Sequence, residues 1–385
     1  MIKRIKMILI IIGSLIAIGF ALLYFSTERL SQFGDNPEGA RLERMKKSPH
    51  FNGEEFINEN GKNITPGLGM IVDIIPEWLF GKEIRKPESI LPVNFLSESD
   101  FENVSTDDLR VIWMGHSTVL IEIDGYRILT DPVWSERCSP SSLYGPKRFH
   151  PIPIEIEQIP KIDAVIISHN HYDHLDKNAV TKLSEKGIMF LVPLGVGAHL
   201  EGWGIDSSQI VEFDWWDEYT IEGTNLKLAA TPAQHFSGRG MFTKRNATQW
   251  LTWAVIGKTQ RVFFCGDTGE YPGLAKIGEK YGPFDICLMK IGAYGDNWPE
   301  LHLTPEQSVE VFQMLKGNLF IPIHWGTFNL AFHDWFDPPE RLVKAANENN
   351  INLAMTIPGQ PVNFNSPPKL DYWWREYLPK GIKKN

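Results

Sequence analysis

The chain is poor in cysteine and in basic residues, and each shortage excludes a class of protein. Only 3 of its 385 residues are cysteine, without metal-like spacing, so neither a disulfide framework nor a cysteine zinc motif is expected. Lys and Arg total 38 against 47 Asp and Glu, a formal charge of −9 that argues against a nucleic-acid partner. No phosphate-binding glycine loop and no Ser-His-Asp nucleophile stands out. The chemistry must therefore come from other side chains.

Long apolar runs are also rare, and the one that is long enough to matter lies at the N-terminus. Residues 7–25 are almost free of polar side chains, and as a helix they would span roughly 28 Å, close to a bilayer core of about 30 Å. Lys3, Arg4 and Lys6 precede the run, which predicts a cytoplasmic N-terminus. Residues 1–25 are thus predicted to form a transmembrane anchor, with the catalytic domain on the extracytoplasmic, periplasmic side. A cleaved signal peptide is the alternative, although no small-x-small cleavage site is evident.

The remaining chain divides by composition into three parts. Residues 26–105 are polar and rich in turn formers, and we interpret them as a linker or strap that packs on the main domain. Within them, the apolar stretch 70–80 is either part of that strap or a surface that contacts lipid. Residues 106–365 carry alternating strand and helix patterns, which predict an α/β layered domain. Residues 366–385 form a basic tail.

The pattern of apolar residues predicts the first strands of the main domain. Apolar runs predict strands at Arg110–Met114, Thr118–Ile123 and Tyr126–Thr130. Asp124-Gly125 separates the last two strands and predicts a hairpin, because a type I′ turn needs positive φ at both central residues.

A histidine-rich stretch follows the buried run 164–167. His169, His171, Asp173 and His174 lie within six residues, and imidazole and carboxylate are ligands that zinc accepts. Alternate residues of an extended segment point the same way, so His169 and His171 can share one metal. Asp173 and His174 can then reach a second metal. The competing interpretation is a polar surface loop that happens to contain histidine.

Three later apolar runs each end in one further candidate ligand, namely His235, Asp267 and His324. His169, His171 and His235 would hold one Zn²⁺, while Asp173, His174 and His324 would hold the other. Asp267 would bridge the pair, which makes Asp267 and Asp173 the candidate catalytic carboxylates. Two metals about 3.5–4 Å apart can hold a bridging hydroxide at neutral pH and stabilise charge on a phosphoryl or carbonyl oxygen.

The motif His169-x-His171-x-Asp173-His174, with His235, Asp267 and His324, resembles the metallo-β-lactamase superfamily. That resemblance implies an αββα sandwich with two Zn²⁺ ions per chain at one edge of the sheets. Further blocks are similar to the N-acylphosphatidylethanolamine-hydrolysing phospholipase D family, including 115–118, 129–132, 145–149, 192–195, 214–216, 266–269, 291–294 and 323–328.

The phospholipase resemblance implies a membrane phospholipid substrate, a lipid bilayer as partner, and release of phosphatidic acid and an N-acylethanolamine. A hydrolase of carbonyl esters, lactones or amides stays open as the alternative, because two zinc ions polarise a carbonyl equally well. A non-catalytic scaffold is a third possibility that the intact ligand set disfavours. A di-iron enzyme fits less well, because that branch of the superfamily carries Glu where His171 stands.

The resemblance also assigns roles beside the metals. It implies that Tyr172 and His302 contact substrate; the plain alternatives are a packed ring for Tyr172 and a helix-entry residue for His302. Thr304 to Gln307 predicts a capping box just after His302. His116 and Asp131 are expected to support the metal-binding residues, Asp131 by accepting an imidazole N–H. Four other histidines follow no pattern and are predicted at the surface: His50, His150, His199 and His333. The sequence leaves the oligomeric state open, with a homodimer as one candidate.

Overall fold

The computed structural model describes residues 2–28, 31–61, 64, 67–102, 108–240 and 244–382. The predicted domain boundary at 105/106 lies outside these residues. The helices are α1 (Ile2–Glu28), α2 (Gly39–Met45), α3 (Leu68–Phe80), α4 (Lys177–Ser184), α5 (Val196–Gly202), α6 (Gly273–Tyr281), α7 (Pro305–Met314) and α8 (Asp337–Glu348). Short 3₁₀ helices occur at Ser31–Phe33, Glu98–Phe101, Ser207–Gln209 and Trp373–Tyr377.

Within the described residues, thirteen strands form two sheets. They are β1 (Arg110–Gly115), β2 (Thr118–Ile123), β3 (Tyr126–Thr130), β4 (Ala164–Ile166), β5 (Met189–Pro193), β6 (Ile210–Phe213), β7 (Glu218–Thr220), β8 (Lys227–Thr231), β9 (Thr252–Ile256), β10 (Arg261–Phe264), β11 (Phe284–Lys290), β12 (Gly317–Ile323) and β13 (Pro361–Asn363). The first sheet has the order β13-β1-β2-β3-β4-β5-β6, and the second has the order β12-β11-β10-β9-β8-β7. Each sheet is antiparallel in one half and parallel in the other.

The two sheets face each other and helices cover their outer sides. Along β1, Val111 and Trp113 belong to the core between the sheets, whereas Ile112 and Met114 pack in the cluster that contains α4 and α5. This alternation is the period of two that a strand buried on both faces must have. Helix α7 packs on β11 and β12, with α6 and α8 beside it. The result is an α/β sandwich with four layers, as expected.

The local predictions around the first hairpin are confirmed. Strands β2 and β3 have the predicted bounds, and Asp124 and Gly125 have φ values of 53° and 80°. Both central residues of the turn thus occupy the left-handed region, as a type I′ turn requires.

The predicted transmembrane segment, and with it the membrane-anchored periplasmic location, is wrong. Within the described part of the chain, no helix combines the length and the apolar character that crossing a bilayer demands.

The prediction of surface positions for the unpatterned histidines is also wrong for two of them. His150 and His199 are only 2% and 7% exposed. The His150 ring lies between the Pro151 carbonyl oxygen, 2.7 Å from Nδ1, and the Thr327 hydroxyl, 3.1 Å from Nε2. Burial, reinforced by the nearby Arg148 charge, lowers the pKa of His150 to about 3. No hydrophobic periodicity marks this position, because His150 lies in a loop.

Replacing His150 with glutamine should make the free energy of unfolding less dependent on pH below neutrality. In the folded protein His150 stays neutral to about pH 3, whereas in the unfolded chain it takes up a proton below about pH 6.5. Its contribution is therefore fully present above pH 6.5 and is lost as the pH falls. As the pH falls from 6.5 to 4.5, the free energy of unfolding, measured with urea, should decrease in both proteins. The decrease in His150→Gln should be smaller than in wild type by up to about 1.4 kcal/mol per pH unit. The control is His50→Gln, at a half-buried position; equal slopes for His150→Gln and wild type would contradict the assignment.

Candidate metal centre

The candidate ligands meet at one edge of the sandwich because several strands end there. The His169–His174 turn follows β4, His235 follows β8, Asp267 follows β10 and His324 follows β12. Carboxyl ends of neighbouring strands deliver their next residues to a common edge, which is where α/β folds place ligand sites. All seven predicted ligands are therefore brought together.

The first group consists of three imidazoles. Nδ1 of His171 lies 2.8 Å from Nε2 of His169 and 3.3 Å from Nε2 of His235. These three nitrogens are close enough to share one ion. Neutral imidazoles with converging lone pairs repel one another unless a proton or a cation lies among them.

The second group contains Asp173, His174 and His324. Oδ2 of Asp173 lies 3.3 Å from Nε2 of His174 and 3.5 Å from Nε2 of His324. His116 approaches the same carboxylate oxygen, with Nε2 at 2.9 Å. His116 therefore contacts a candidate ligand directly and can donate a hydrogen bond that orients it.

Asp267 lies between the two groups and approaches histidines of both. Its Oδ1 is 3.1 Å from Nε2 of His324. Its Oδ2 is 3.4 Å from His174, 3.7 Å from His235 and 4.0 Å from His169. This is the position that a bridging carboxylate would take.

Buried polar atoms without partners indicate that this group of residues binds metal ions. Nε2 of His174 and Nε2 of His324 are buried and have no hydrogen-bond partner among the described residues. Leaving such a group unpaired costs about 1–3 kcal/mol each. Two such nitrogens beside the same carboxylates indicate that a cation satisfies them, and five imidazoles with two carboxylates suit zinc.

The charge states also suit metal binding. Burial, helped by neighbouring histidines, lowers the pKa of His169 and His235 well below the ordinary value, and burial lowers the pKa of His171 to about 4. These imidazoles are thus neutral at pH 7 and offer lone pairs. Burial alone would raise the pKa of Asp267, but His324 and Lys290 hold it well below its ordinary value, so the carboxylate is ionised.

Asp131 takes the supporting role that was predicted for it. Its Oδ2 is 2.6 Å from Nδ1 of His174 and 2.6 Å from Oγ of Ser168, and its Oδ1 accepts from the Ser168 amide at 2.7 Å. A carboxylate that accepts the Nδ1 proton leaves the Nε2 lone pair of His174 free for a metal.

Gly266 is required where β10 turns into the site. Its φ of 52° lies in the left-handed region, and a Cβ atom there would come within 2.5 Å of Cβ of Ser168. Glycine is the residue that tolerates both constraints. It lets Asp267 approach the histidine-rich turn closely.

Asn58 is a supporting residue that the sequence did not reveal. Its Nδ2 donates to the His235 carbonyl and its Oδ1 accepts from the His235 amide, both at 3.0 Å, and Oδ1 also accepts from Nε1 of Trp250 at 3.1 Å. The segment before the main domain thus fixes the backbone of a candidate ligand. Asn58 lies 177 residues from His235 in the chain, so no local motif links the two.

Replacing Asn58 with leucine should weaken the first group of ligands. Loss of two hydrogen bonds to the His235 backbone leaves buried polar groups unpaired, at about 1–3 kcal/mol each, and support of this kind is worth about 10-fold or more in metal affinity. Zinc affinity measured by competition with a chromophoric chelator should fall accordingly. Asn347→Leu, on the exposed face of α8, is the matched control. Unchanged zinc affinity in Asn58→Leu would show that this clamp is dispensable.

The two residues that were expected to contact substrate differ in their surroundings. The Tyr172 hydroxyl donates to the Arg239 carbonyl at 2.7 Å, and the Arg239 guanidinium lies 4.0 Å above its ring. His302 is 15% exposed and lies close to Asp267 and His235. It lines a cavity of about 340 Å³ with aromatic and charged walls that include Tyr294, Trp298, Phe332, Arg341 and Glu77. The predicted capping box of α7 is present beside it.

Lys290 is a second residue that sequence reasoning missed. It ends β11, is fully buried, and places Nζ 3.3 Å from Oδ1 of Asp267. The only signal was a lysine at the end of an apolar run, directly before Ile291-Gly292. Lysine is almost never fully buried unless it is paired.

Two facing sheets with clustered imidazoles and carboxylates at one edge define the metallo-β-lactamase type of α/β fold. A family model for the beta-lactamase superfamily domain matches residues 126–325, which contain all seven candidate ligands. The chain therefore belongs to the beta-lactamase superfamily, and its site is that of a metal-dependent hydrolase.

Individual relatives cover most of the chain. A Mycobacterium tuberculosis (strain ATCC 25618 / H37Rv) protein described as uncharacterized is 42% identical over 340 residues, which span 86% of this chain and 88% of that protein. N-acyl-phosphatidylethanolamine-hydrolyzing phospholipase D 1 of Caenorhabditis elegans is 35% identical over 336 residues, covering 80% of this chain and 94% of that protein. A solved metallo hydrolase from Ignicoccus hospitalis KIN4/I, 24% identical, aligns with a TM-score of 0.51 over 66% of this chain and 98% of that chain. That structural likeness concerns the fold.

Proposed function

We propose that the chain is a dizinc phosphodiesterase of the phospholipase D type that hydrolyses N-acylphosphatidylethanolamine-like phospholipids. The products would be phosphatidic acid and an N-acylethanolamine. The observation that carries the proposal is the pair of ligand groups joined by Asp267, with the His302 cavity opening beside them. The named activity of the Caenorhabditis elegans relative supports the phospholipid as substrate.

Each of the two ligand groups would hold one metal ion. His169, His171 and His235 would hold one zinc ion, and Asp173, His174 and His324 the other, with Asp267 shared. When bound, such a pair would supply an ionised water at neutral pH and Lewis-acid stabilisation of the phosphoryl oxygens.

The protein side chains then orient the metal-binding groups and the substrate. Asp131, Ser168 and Asn58 hold the ligating groups in place through the hydrogen bonds described above. His302 borders the cavity and can hydrogen-bond an oxygen of the substrate. In the reaction, the oxygen of water bonds to phosphorus, the bond from phosphorus to the ethanolamine oxygen breaks, and that oxygen leaves with a proton.

The cavity has walls that suit an N-acylethanolamine leaving group. Tyr294, Trp298 and Phe332 supply aromatic surface for a chain of methylene groups, while Glu77 and Arg341 supply polar partners for an amide. Binding sites commonly combine apolar walls with a few polar groups in this way.

Hydrolysis in H₂¹⁸O distinguishes phosphodiester cleavage from attack on a carbonyl. Zinc-loaded protein is incubated with N-palmitoyl phosphatidylethanolamine, and the products are identified by mass spectrometry. The proposal predicts N-palmitoylethanolamine without label and phosphatidic acid carrying one ¹⁸O. Label in a released fatty acid instead would identify an esterase or amidase. No product from this lipid, together with turnover of a lactone, would overturn the phospholipase assignment.

We also propose that α3 contacts the surface of the lipid bilayer that presents the substrate. Five large apolar side chains of this helix are exposed, with exposed fractions from 46% to 78%: Val72, Ile75, Trp78, Leu79 and Phe80. Exposed Lys82 and Lys86 follow the helix and suit anionic headgroups. Glu77 of the same helix accepts a hydrogen bond from Asn297 at 2.9 Å and lines the His302 cavity. The exposed apolar side chains therefore belong to the helix whose Glu77 lines the His302 cavity.

Replacing Trp78 and Phe80 together with serine should weaken the association with vesicles. Removing two exposed aromatic side chains takes away apolar area that would be buried in lipid, at about 25 cal/mol per Å², so partitioning into anionic phospholipid vesicles should fall at least about 10-fold. Hydrolysis of a dispersed short-chain substrate should stay unchanged. Phe95→Ser, at a residue that is 69% exposed outside α3, is the control. Equal vesicle binding by the double variant and by wild type would remove α3 from the lipid contact.

A further inference from the structure

Lys290 has two polar neighbours that come from different elements. Its Nζ lies 3.3 Å from Oδ1 of Asp267, which follows β10, and it contacts Nδ1 of His302, which precedes α7. The Lys290 side chain is fully buried. Its backbone carbonyl accepts a hydrogen bond from Ser308 of α7, so the end of β11 is tied to the same helix that positions His302.

The contact with Lys290 decides the hydrogen-bonding state of His302. An ammonium group has three donors and no acceptor, so Nδ1 of His302 must supply a lone pair. A neutral imidazole whose Nδ1 is the acceptor carries its proton on Nε2. His302 then presents an N–H donor from the other end of the ring, and this ring borders the cavity of about 340 Å³.

The contact with Asp267 holds the ammonium in place. Oδ1 of Asp267 faces both Lys290 and His324, while Oδ2 faces His174 and His235. Lys290 thus joins the shared carboxylate of the candidate metal centre to His302 at the edge of the cavity. The arrangement is a fixed chain of groups from Asp267 through Lys290 to His302.

We propose that Lys290 is a positioning residue that fixes His302 as the Nε2–H tautomer, so that His302 donates a hydrogen bond to a phosphoryl or leaving-group oxygen of the substrate. The inference rests on the proposed hydrolase function. It assigns His302 the role of donor, and it excludes a role as a base that takes a proton from water. A donor that is already in place where negative charge develops stabilises the transition state without reorganisation.

Nitrogen NMR of the zinc-loaded protein tests the tautomer without substrate. In protein labelled with ¹⁵N-histidine, long-range ¹H–¹⁵N correlations distinguish Nδ1–H from Nε2–H imidazoles, and His302→Gln identifies the His302 signals by their loss. The wild type should show the Nε2–H pattern. Lys290→Met, which removes the donor at similar length, should shift His302 toward a mixture or toward Nδ1–H. An unchanged Nε2–H pattern in Lys290→Met would overturn the proposal.

Kinetics with bis(p-nitrophenyl) phosphate provides the second readout. Lys290→Met should lower kcat about 10-fold with little change in KM, because a donor is lost mainly in the transition state. Lys290→Gln keeps an N–H donor for Nδ1 and should recover most of kcat. Met289→Leu, one residue earlier on β11, controls for disturbance of the strand. Equal losses in the Met and Gln variants would indicate that charge matters rather than the tautomer, and would also overturn the proposal.

Zinc content separates this role from a structural one. Both Lys290 variants should retain the zinc stoichiometry of wild type by inductively coupled plasma mass spectrometry, and a loss of zinc in Lys290→Gln would show that Lys290 holds the metal centre together instead. If the protein hydrolyses no phosphodiester at all, the proposed function fails. The NMR measurement still decides whether Lys290 sets the tautomer.

Discussion

Asp267→Asn should lower kcat/KM for phosphodiester hydrolysis by about 1,000-fold or more while the fold persists. Asp267 is only 2% exposed and faces His235 of the first ligand group and His324 of the second. An amide of the same shape has one oxygen and no negative charge, so it can neither bridge two cations nor balance their charge. Rate loss should be accompanied by a lower zinc content, measured by mass spectrometry on the same preparation. Near-ultraviolet circular dichroism should remain that of the wild type.

The control for this substitution is another carboxylate outside the site. Asp163 directly precedes β4 and accepts a hydrogen bond from the Arg127 amide at 2.8 Å. Asp163→Asn therefore makes the same chemical change at a carboxylate outside the metal centre. It should keep nearly full activity and zinc. If Asp267→Asn kept wild-type turnover with an unchanged metal content, Asp267 would not be a bridging ligand and the proposed mechanism would be wrong.

The seven candidate ligands could be predicted from the sequence because each follows an apolar run. A buried strand has a recognisable pattern, and the next residue must lie at the sheet edge, so His235, Asp267 and His324 are placed without knowledge of tertiary contacts. The spacing of His169 and His171 adds a local reason for a shared ion. The fold class follows from the same runs.

The supporting residues could not be predicted, because their partners are remote in the chain. Asn58 reaches His235 across 177 residues, and nothing around Asn58 indicates a buried amide. Lys290 looks like the polar end of a strand, and only packing reveals that its ammonium has Asp267 and His302 as neighbours. His150 is similar: a loop histidine has no periodicity, so its burial is decided by tertiary structure.

The N-terminal prediction failed for a different reason. Hydropathy alone measures apolar content, and residues 7–25 satisfy a simple length criterion for a bilayer. The described part of the chain contains no helix that meets the criteria of length and apolar character together. Helix α3 illustrates the opposite case. Its apolar run is short and was interpreted as either a strap or a lipid-contacting surface, and five of its large apolar side chains are exposed.

Removing metal should abolish activity and lower thermal stability, and zinc should restore both. After treatment with dipicolinic acid and dialysis, we expect hydrolysis below about 1% of the starting rate, because the proposed reaction depends on both ions. The melting temperature should drop by about 5 °C or more, since a ligand that binds the native state at 1,000 times its Kd contributes about 4 kcal/mol. Titration with zinc, followed by scanning fluorimetry and by activity, should saturate at about two ions per chain.

The stoichiometry is the sharpest part of this prediction because the two ligand groups differ. The first group has three imidazoles, whereas the second includes Asp173, and Asp267 is shared. Filling one group alone leaves buried atoms of the other unpaired, among them Nε2 of His324, so the first equivalent of zinc should restore only part of the stability and little activity. Mg²⁺ prefers six oxygen ligands and is the control that should restore neither. Full activity at one zinc per chain would show that the groups do not act as a pair.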